Sequence, residues 1–203
     1  MGRPSVGPQR RAQILDATIE CISEFGIVAT TLERIAEKAG MSRGHVRHFA
    51  GNRDTLISDA CRRFYGLLPE LEGGPDQIVP DVDASLDDVL EVLFGEDFTA
   101  PTDENAVVQA FVAESKSNTD VASVLDKAYS STHERVFQVM VRDLPHLDRE
   151  FVGQLAFDIV CLALGNVFLT DLGHSLIRGF NARAGADALL RAALESRPLE
   201  TNI

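Results

Sequence analysis

A stretch of thirteen residues, Met41–Arg53, concentrates hydrogen-bond donors in an otherwise acidic chain. It holds three arginines and two histidines and no aspartate or glutamate, although the whole chain of 203 residues carries a net charge of −12. Arginine and histidine side chains donate hydrogen bonds to phosphate oxygens and to the O6 and N7 atoms of guanine. The absence of carboxylates therefore favours a polyanionic partner, and double-stranded DNA fits these donors.

The charge is distributed unevenly along the chain. Residues 1–65 contain ten Lys/Arg and seven Asp/Glu, whereas the remaining residues contain nine and twenty-four. A basic end joined to an acidic body indicates two tasks, of which only one involves an anion. Arg3, near the N-terminus, adds a cation for the DNA backbone.

Apolar residues recur every three or four positions along nearly the whole chain, which predicts an all-α protein. No segment alternates convincingly with a period of two, and Asn-Gly and Asp-Gly hairpin signals are absent. The helices divide into a three-helix head at 1–52, a linking fourth helix and an all-helical body at 70–203. The predicted helices, about nine with ends defined to within ~2–4 residues, are at about 8–25, 31–39, 43–50, 53–69, 84–95, 103–117, 119–143, 148–172 and 181–196.

The segment from Thr30 to Arg53 predicts a helix-turn-helix. Thr30 and Glu33 form the pattern of a capping box at the start of its first helix, and Ser42 is suited to cap the second. The second helix is about two turns long and has one central apolar anchor, Val46, so most of its other side chains must lie outside the core. The residues predicted to meet DNA in this helix and at its cap are Ser42, Arg43, Gly44, His45, Arg47 and His48.

Residues of about 8–60 resemble the DNA-binding head of the TetR/AcrR family of bacterial transcriptional regulators. The similarity is carried by ILDATIECISEFG at 14–26, TTLERIAEKAGMSRG at 30–44 and NRDTLI at 52–57. It implies that the head binds DNA and that the body binds a ligand and dimerises. The protein is therefore expected to be a cytoplasmic, ligand-responsive repressor that binds a palindromic operator as a homodimer.

The resemblance also assigns roles to individual residues. Thr30 and Thr31 are expected to contact phosphate through a hydroxyl or a backbone amide, and Ser42–His45 to open the recognition helix. Arg47 stands where the family usually has an aromatic residue that contacts DNA. Arg53 stands where the family usually has a lysine, at a helix N-terminus that itself favours a phosphate.

Two positions depart from the family pattern. Phe49 occupies a position often held by Tyr or His, and its ring cannot donate a hydrogen bond to a phosphate. Ala50 stands where a large apolar residue is frequent, so packing beneath the recognition helix is expected to be looser or filled from elsewhere. Both departures concern the geometry of the DNA contacts.

The helix at 148–172 is apolar on several faces, which predicts burial on one side by its own body and on another by a second copy. Ala156, Ala163 and Gly165 are small enough to let another helix approach closely. Together with the resemblance, this pattern predicts a homodimeric four-helix bundle built from 148–172 and 181–196.

The resemblance further implies a small-molecule pocket enclosed by helices from about 84 to 170. An unidentified effector bound there would favour a spacing of the heads that no longer fits the operator. Asp158 shares a helix face with Leu155 and Leu162, and a buried carboxylate needs a partner such as a cationic ligand or an arginine. The predicted lining residues are Gln109, Phe111, Ser115, Tyr129, His133 and Asp158. Each polar member of this set is alternatively a hydrogen-bonded core residue.

Other classes of function have weaker support. The sequence lacks HExxH and a metal-spaced cluster, so neither catalysis nor a cofactor or metal ion is expected. Asp158 and Asn166 interrupt the most apolar run, which argues against a membrane span. Cys21, Cys61 and Cys161 are expected to be free thiols in a reducing cytosol. Two alternatives stay open: a redox sensor that uses Cys21 or Cys61, and a helical interaction protein whose head no longer reads DNA.

Overall fold

The computed structural model describes residues 6–71, 83–100, 102–172 and 182–195. Within these ranges the regular structure is helical and no strand occurs, which confirms the predicted all-α fold. Nine of the described helices have seven or more residues, and one has four. They are α1 (Val6–Ala29), α2 (Leu32–Lys38), α3 (Arg43–Ala50), α4 (Arg53–Phe64), α5 (Leu86–Phe94), α6 (Glu96–Thr99), α7 (Asp103–Glu114), α8 (Thr119–Asp143), α9 (Arg149–Asp171) and α10 (Arg183–Glu195).

The helices form two compact units. The first consists of Met1–Gln77 and Asp103–Ala128, and the second of Ile78–Thr102 and Tyr129–Ile203, so the division falls within α8. The first unit thus contains α4 and α7 in addition to the three helices of the head. The domain boundary at residue 52 stays a prediction.

The first unit is organised around α1, which contacts α2, α3, α4 and α7. Ile14, Leu15 and Ile22 are buried on one side of this helix, as its apolar spacing requires. Gly26 interrupts the helix with a φ of 73°, a left-handed value that costs glycine little. The interruption lies directly after the predicted end of the first helix at about residue 25, and helical residues continue beyond it to Ala29.

Charged pairs fix α4 against α1. Arg63 is 3% exposed and binds the carboxylate of Asp16 with two nitrogens, at 2.8 and 3.1 Å. Asp59, also buried, accepts hydrogen bonds from Arg11 at 2.7 Å and from Arg62 at 2.8 Å. A buried guanidinium or carboxylate without a partner is strongly unfavourable, so the Arg63–Asp16 and Arg11–Asp59 pairs join α4 to α1, whereas Arg62 and Asp59 pair within α4.

The fourth helix ends at Phe64, five residues before the predicted end at 69. Gly66 adopts a φ of 65°, and the N–H of Leu67 donates to the carbonyl of Arg62 at 2.8 Å. A left-handed glycine with this backward hydrogen bond closes a helix. The prediction extended the apolar pattern through Leu67 and Leu68 and missed the glycine between them and the helix.

The second unit has its own core, in which α5 and α10 contact α9. Ser85 and Asp88 form a reciprocal capping box at the start of α5, which satisfies backbone donors that the first helical turn leaves unpaired. Arg183, in the first turn of α10, pairs with Asp87 of α5 at 2.7 Å. The core includes buried residues from α5, α8, α9 and α10, among them Leu93, Val136, Met140, Val152, Ile159 and Leu190.

Helix α9 buries one face in this core and exposes another. Ala156 and Ala163 are 0% and 1% exposed and lie in this core, so these two small residues face helices of the same chain. The spacing of four, three and four residues instead places a different set on the exposed face. We call this set the α9 stripe; it consists of Phe157, Cys161, Leu164 and Phe168, all of them exposed.

Length and composition alone would allow one of the described helices, Arg149–Asp171, to cross a membrane. The core helix of a soluble protein passes the same test, and 33% of its most apolar window is buried inside the protein. The absence of a membrane span stays a prediction.

Candidate DNA-binding surface

The recognition helix α3 is held by two buried side chains and a cap at its start. Within α3, Val46 and Ala50 are the buried residues. The hydroxyl of Ser42 accepts a hydrogen bond from the backbone N–H of His45 at 3.2 Å, which confirms the predicted N-cap. Ala50 is 7% exposed, so this small residue is covered in spite of its departure from the family pattern.

The other polar residues of α3 lie at the surface. Arg43, His45, Arg47 and His48 are exposed, and α3 carries no carboxylate to repel a phosphate. A Cβ added to Gly44 would meet only the Ser42 hydroxyl oxygen, at 3.8 Å, so this glycine leaves the backbone accessible to a close neighbour. The structure thus brings the predicted donors together on one short helix.

Phe49 takes part in packing at the end of this surface. Its ring is half-buried and meets the ring of His48 edge to face, with 5.1 Å between the centroids. Such an arrangement is favourable for aromatic pairs. Phe49 therefore helps to orient His48. The sequence analysis considered only the hydrogen bond that Phe49 cannot donate and did not predict this role.

The start of α2 corrects the predicted capping box. Thr31, not Thr30, is the N-cap, and its hydroxyl accepts from the N–H of Arg34 at 3.3 Å. Thr30 is completely buried and its hydroxyl donates to the carbonyl of Gly26 at 2.8 Å. The prediction relied on the spacing of Thr30 to Glu33, whereas the residue three positions after Thr31 is Arg34, so the actual N-cap has no acidic partner in a capping box. The predicted phosphate contact through the Thr30 hydroxyl is wrong in this arrangement, whereas Thr31 is exposed.

Arg53 does not extend away from the protein. Its Nε donates to the carbonyl of Thr30 at 2.9 Å, and its Nη2 donates to the carbonyl of Ile27. Its Nη1 approaches a carboxylate oxygen of Asp54 at 3.5 Å. Each terminal nitrogen keeps one further N–H, so the phosphate contact stays a prediction, but the guanidinium mainly holds the turn between α1 and α2.

Two residues at this surface were missed by the sequence reasoning. Glu33 of α2 lies 3.0 Å from the Nε of Arg43, and both side chains are about 60% exposed. Arg34 donates to the carbonyl of Ala29 at 2.7 Å and its guanidinium lies 4.4 Å from the ring centre of Phe25. The Arg34 contact could have been predicted, because a cationic side chain close in sequence to the end of α1 can donate to the carbonyls that the helix leaves unpaired. The Glu33 contact depends on how α2 and α3 pack and could not. The predicted contact by Arg3 falls outside the described residues.

The predicted ligand-lining residues of the first unit have different environments. Gln109 is exposed. Phe111 is completely buried and packs against Phe64, with 5.9 Å between the ring centroids. The Ser115 hydroxyl donates to the carbonyl of Val112 at 2.8 Å. Phe111 is thus a core residue of this unit.

In the second unit, Tyr129, His133 and Asp158 are half-buried. His133 Nε2 lies 3.2 Å from the carbonyl oxygen of Gly153. Asp158 accepts a hydrogen bond from the Gln154 side chain, one helical turn away, at 2.9 Å. The expectation of a buried carboxylate in need of a cation is therefore wrong. The role of these residues in ligand binding stays a prediction.

A groove of about 440 Å³ opens on the first unit between α1, the end of α2 and α4. Its lining includes Asp16, Glu20, Lys38 and Arg63, and these charges pair with one another or with neighbours. None of the six predicted ligand-lining residues borders it. The groove is therefore a charged surface feature of the head and does not correspond to the predicted effector pocket.

The described cysteines are free, and only Cys161 is exposed. Burial raises the pKa of the Cys21 thiol, and it raises the pKa of the Cys61 thiol from 9.0 to about 12. The thiolate is the reactive form, so both thiols of the head are protonated and shielded at neutral pH. This environment argues against the alternative of a redox sensor based on Cys21 or Cys61.

Residues Gly40–Gly44 spell GMSRG, which matches the GxSxG pattern of serine hydrolases. In those enzymes the serine lies on a sharp turn between a strand and a helix. Here Ser42 follows helix α2, and its hydroxyl oxygen caps α3. The serine therefore does not lie on the strand-to-helix turn that those enzymes have.

The described residues also contain no group of three or more His, Cys, Asp or Glu arranged to hold a metal ion.

Residues 14–60 match the model for bacterial regulatory proteins of the tetR family. The match spans most of α1, all of α2 and α3 with the turns that position them, and the first part of α4. Over these residues the chain is similar to regulatory proteins of the tetR family.

The chain is also 35% identical over 97 residues to the HTH-type transcriptional regulator BetI of Stenotrophomonas maltophilia. The alignment covers 43% of this chain and 50% of that relative. The chain therefore spans about half the length of the curated relative that it matches.

Two solved structures share the fold over nearly the whole chain. MexZ, a key repressor responsible for antibiotic resistance in Pseudomonas aeruginosa, matches with a TM-score of 0.63 and 20% identity, over 95% of this chain and 96% of that one. A transcriptional regulator from Saccharomonospora viridis in complex with choline matches with a TM-score of 0.63 and 18% identity, over 93% and 97%. At these identities the similarity establishes the fold alone.

Thiol labelling tests the assignment of Cys21 and Cys61. In a Cys161→Ser variant at pH 8, we expect no thiol to react rapidly in the folded protein and two to react after unfolding in urea. The raised pKa values leave little thiolate at this pH, and burial blocks access. Rapid modification of either cysteine in the folded state would keep redox sensing as a viable function.

Proposed function

We propose that this protein is a ligand-responsive transcriptional repressor that binds a palindromic DNA operator as a homodimer. The observation that carries the proposal is the surface of α3, where Arg43, His45, Arg47 and His48 are exposed on a capped helix free of carboxylates. The match of residues 14–60, the segment that contains this helix, to the model for regulatory proteins of the tetR family supports the same conclusion.

The dimensions of α3 fit the major groove of DNA. The groove is about 12 Å wide and admits a single helix, whose exposed side chains then meet the edges of the bases. An arginine there recognises guanine by donating to O6 and N7 together. We therefore assign base readout to Arg43 and Arg47, and contacts to the sugar-phosphate backbone to Thr31, Ser42 and His48.

A dimer is proposed through the α9 stripe. Phe157 and Phe168 are 54% and 51% exposed, and on α10 Leu194 is 53% exposed. Contiguous exposed apolar residues on a soluble protein generally mark a surface that another molecule covers. A second copy related by a two-fold axis would cover both stripes and place two recognition helices on half-sites about one DNA turn, ~34–36 Å, apart.

We assign release from DNA to a small-molecule effector bound by the body of the protein. The choline complex of the S. viridis regulator supports a small-molecule site in this fold, without fixing the effector of this chain. Tyr129, His133 and Asp158 remain candidates for contacts to it. No cofactor, metal ion or catalytic activity is assigned, and the place of action is the cytoplasm, where the DNA is.

The remaining alternative is an interaction protein whose head no longer binds DNA. It would require the donors of α3 to serve only as a solvated surface. The exposed donors of α3 and the absence of carboxylates from this helix favour DNA binding. A surface that meets only water needs neither feature.

Selection of duplexes from a random DNA library tests the proposal directly. At near-physiological salt we expect recovery of a palindrome with half-sites about one turn apart. Arg43→Ala and Arg47→Ala should each cost about 1–3 kcal/mol of binding free energy and lose preference at particular base pairs. Lys127→Ala, which removes an exposed cation from α8, is the control and should bind as the wild type does. Recovery of no preferred duplex would favour the interaction protein.

The ion pair between Glu33 and Arg43 predicts a gain in DNA affinity. Glu33→Gln should strengthen binding to unrelated DNA about two- to fivefold, because it removes a carboxylate that competes with phosphate for Arg43. Glu37→Gln removes an exposed carboxylate from the same helix, for which the described residues supply no cation within ion-pair distance. Gel-shift titrations of both variants should separate them, and equal gains would assign the effect to net charge alone.

Substitution in the α9 stripe tests the dimer. Phe168→Glu should convert the protein to a monomer in sedimentation equilibrium, since each interface would then bury two carboxylates. The same variant should bind a half-site weakly and lose the advantage of a palindrome. Val112→Glu is the matched control, because Val112 is 41% exposed on α7. A Phe168→Glu variant that remains dimeric would place the interface elsewhere.

A further inference from the structure

The sequence between Ile27 and Arg53 contains the whole helix-turn-helix, and one side chain joins its two ends. Arg53 is the first residue of α4, and its guanidinium donates to the carbonyl of Ile27 at the end of α1 and to the carbonyl of Thr30 at 2.9 Å. Helices α2 and α3 lie within the segment that these two hydrogen bonds close.

The carbonyls at this junction have specific partners. The Thr30 hydroxyl donates to Gly26, and Arg34 donates to Ala29 at 2.7 Å. The N–H of Thr30 shares the Ile27 carbonyl with Arg53, at 3.1 Å. A helix end leaves several carbonyl oxygens without intrahelical partners, and here cationic donors satisfy three of the four carbonyls involved.

A guanidinium suits this position better than other cations. Its N–H groups form a rigid planar fork, and Arg53 uses two different nitrogens on two carbonyls three residues apart. A lysine ammonium is a single point charge on a flexible stem and cannot match two acceptors in the same way. The side chain is 34% exposed, so its hydrogen bonds are partly shielded from competing water.

We propose that Arg53 is a positioning residue that closes the helix-turn-helix by fastening the start of α4 to the end of α1, and so fixes the orientation in which α3 meets DNA. The proposal rests on the proposed function. It differs from a phosphate contact, because the guanidinium donates to two carbonyl oxygens of the protein backbone.

The orientation of α3 needs such a fastening. Only Val46 and Ala50 anchor the helix in the core, and the turn after it contains Gly51 with a φ of 79°. If the junction of α1 and α2 moved relative to α4, both ends of the segment that carries α3 would move. A shift of about 1 Å is enough to weaken interactions that depend on orientation.

Binding of the selected duplex by full-length Arg53→Gln, Arg53→Lys and Arg62→Gln provides the test. Arg62 lies on the same helix, is also 34% exposed and pairs with Asp59, so it controls for the loss of one cation from α4. Circular dichroism melts first establish a temperature at which every variant is folded. Affinities are then measured at several salt concentrations.

We expect Arg53→Gln to weaken binding about tenfold or more while the slope of log K against log salt concentration stays that of the wild type. Arg53→Lys should recover only a small part of the loss, and Arg62→Gln should bind within about twofold of the wild type. Hydrogen exchange without DNA should accelerate at the amides of residues 27–33 and 42–50 in Arg53→Gln and not in Arg62→Gln.

Three results would overturn the proposal. A slope reduced by about 0.9 in Arg53→Gln would identify a phosphate contact. Full recovery by Arg53→Lys would show that charge alone is needed. Wild-type affinity of folded Arg53→Gln would show that the hydrogen bonds do not position α3. If the wild-type protein prefers no duplex, the proposed function fails, and the exchange rates alone then decide whether Arg53 fastens the segment.

Discussion

The recognition helix of this protein buries very little of itself, and this constraint governs the architecture of the head. Two small anchors, Val46 and Ala50, are all that α3 contributes to the core. A helix of eight residues is not stable by itself in water, so its position comes from its flanks. Ser42 caps its start, Met41 donates back to the carbonyl of Ala36 at 2.8 Å, and Asn52 caps the next helix. The surface offered to DNA therefore depends on turns more than on hydrophobic packing.

The features that the sequence predicted well are local ones. The N-cap of α3 and the end of α2 before Gly40 each depend on a few adjacent residues, and the structure confirms them. The fold class was equally accessible, because the apolar spacing of helices persists along nearly the whole chain. The exposure of the donors of α3 could be predicted because the helix is short. Its one central apolar residue, Val46, indicates that the polar side chains lie outside the core.

The features that the sequence did not predict depend on contacts between distant residues or on a choice between equivalent ones. Arg53 donates to carbonyls 23 and 26 residues away. Every residue has a backbone carbonyl, so the sequence does not show which of them will accept. Thr30 has the capping-box spacing to Glu33, yet packing against α1 buries Thr30 and leaves Thr31 to cap α2. Asp158 is a different case, because Gln154 lies one turn before it and the local hydrogen bond was readable.

The exposed stripe on α9 links folding to assembly. A single chain leaves Phe157 and Phe168 more than half exposed while the opposite face of the same helix supports the core of the second unit. Water contact with that stripe is unfavourable in a lone chain, so any partner that covers it also stabilises the helix beneath it. With a second copy as that partner, the thermal stability of the second unit would rise with protein concentration.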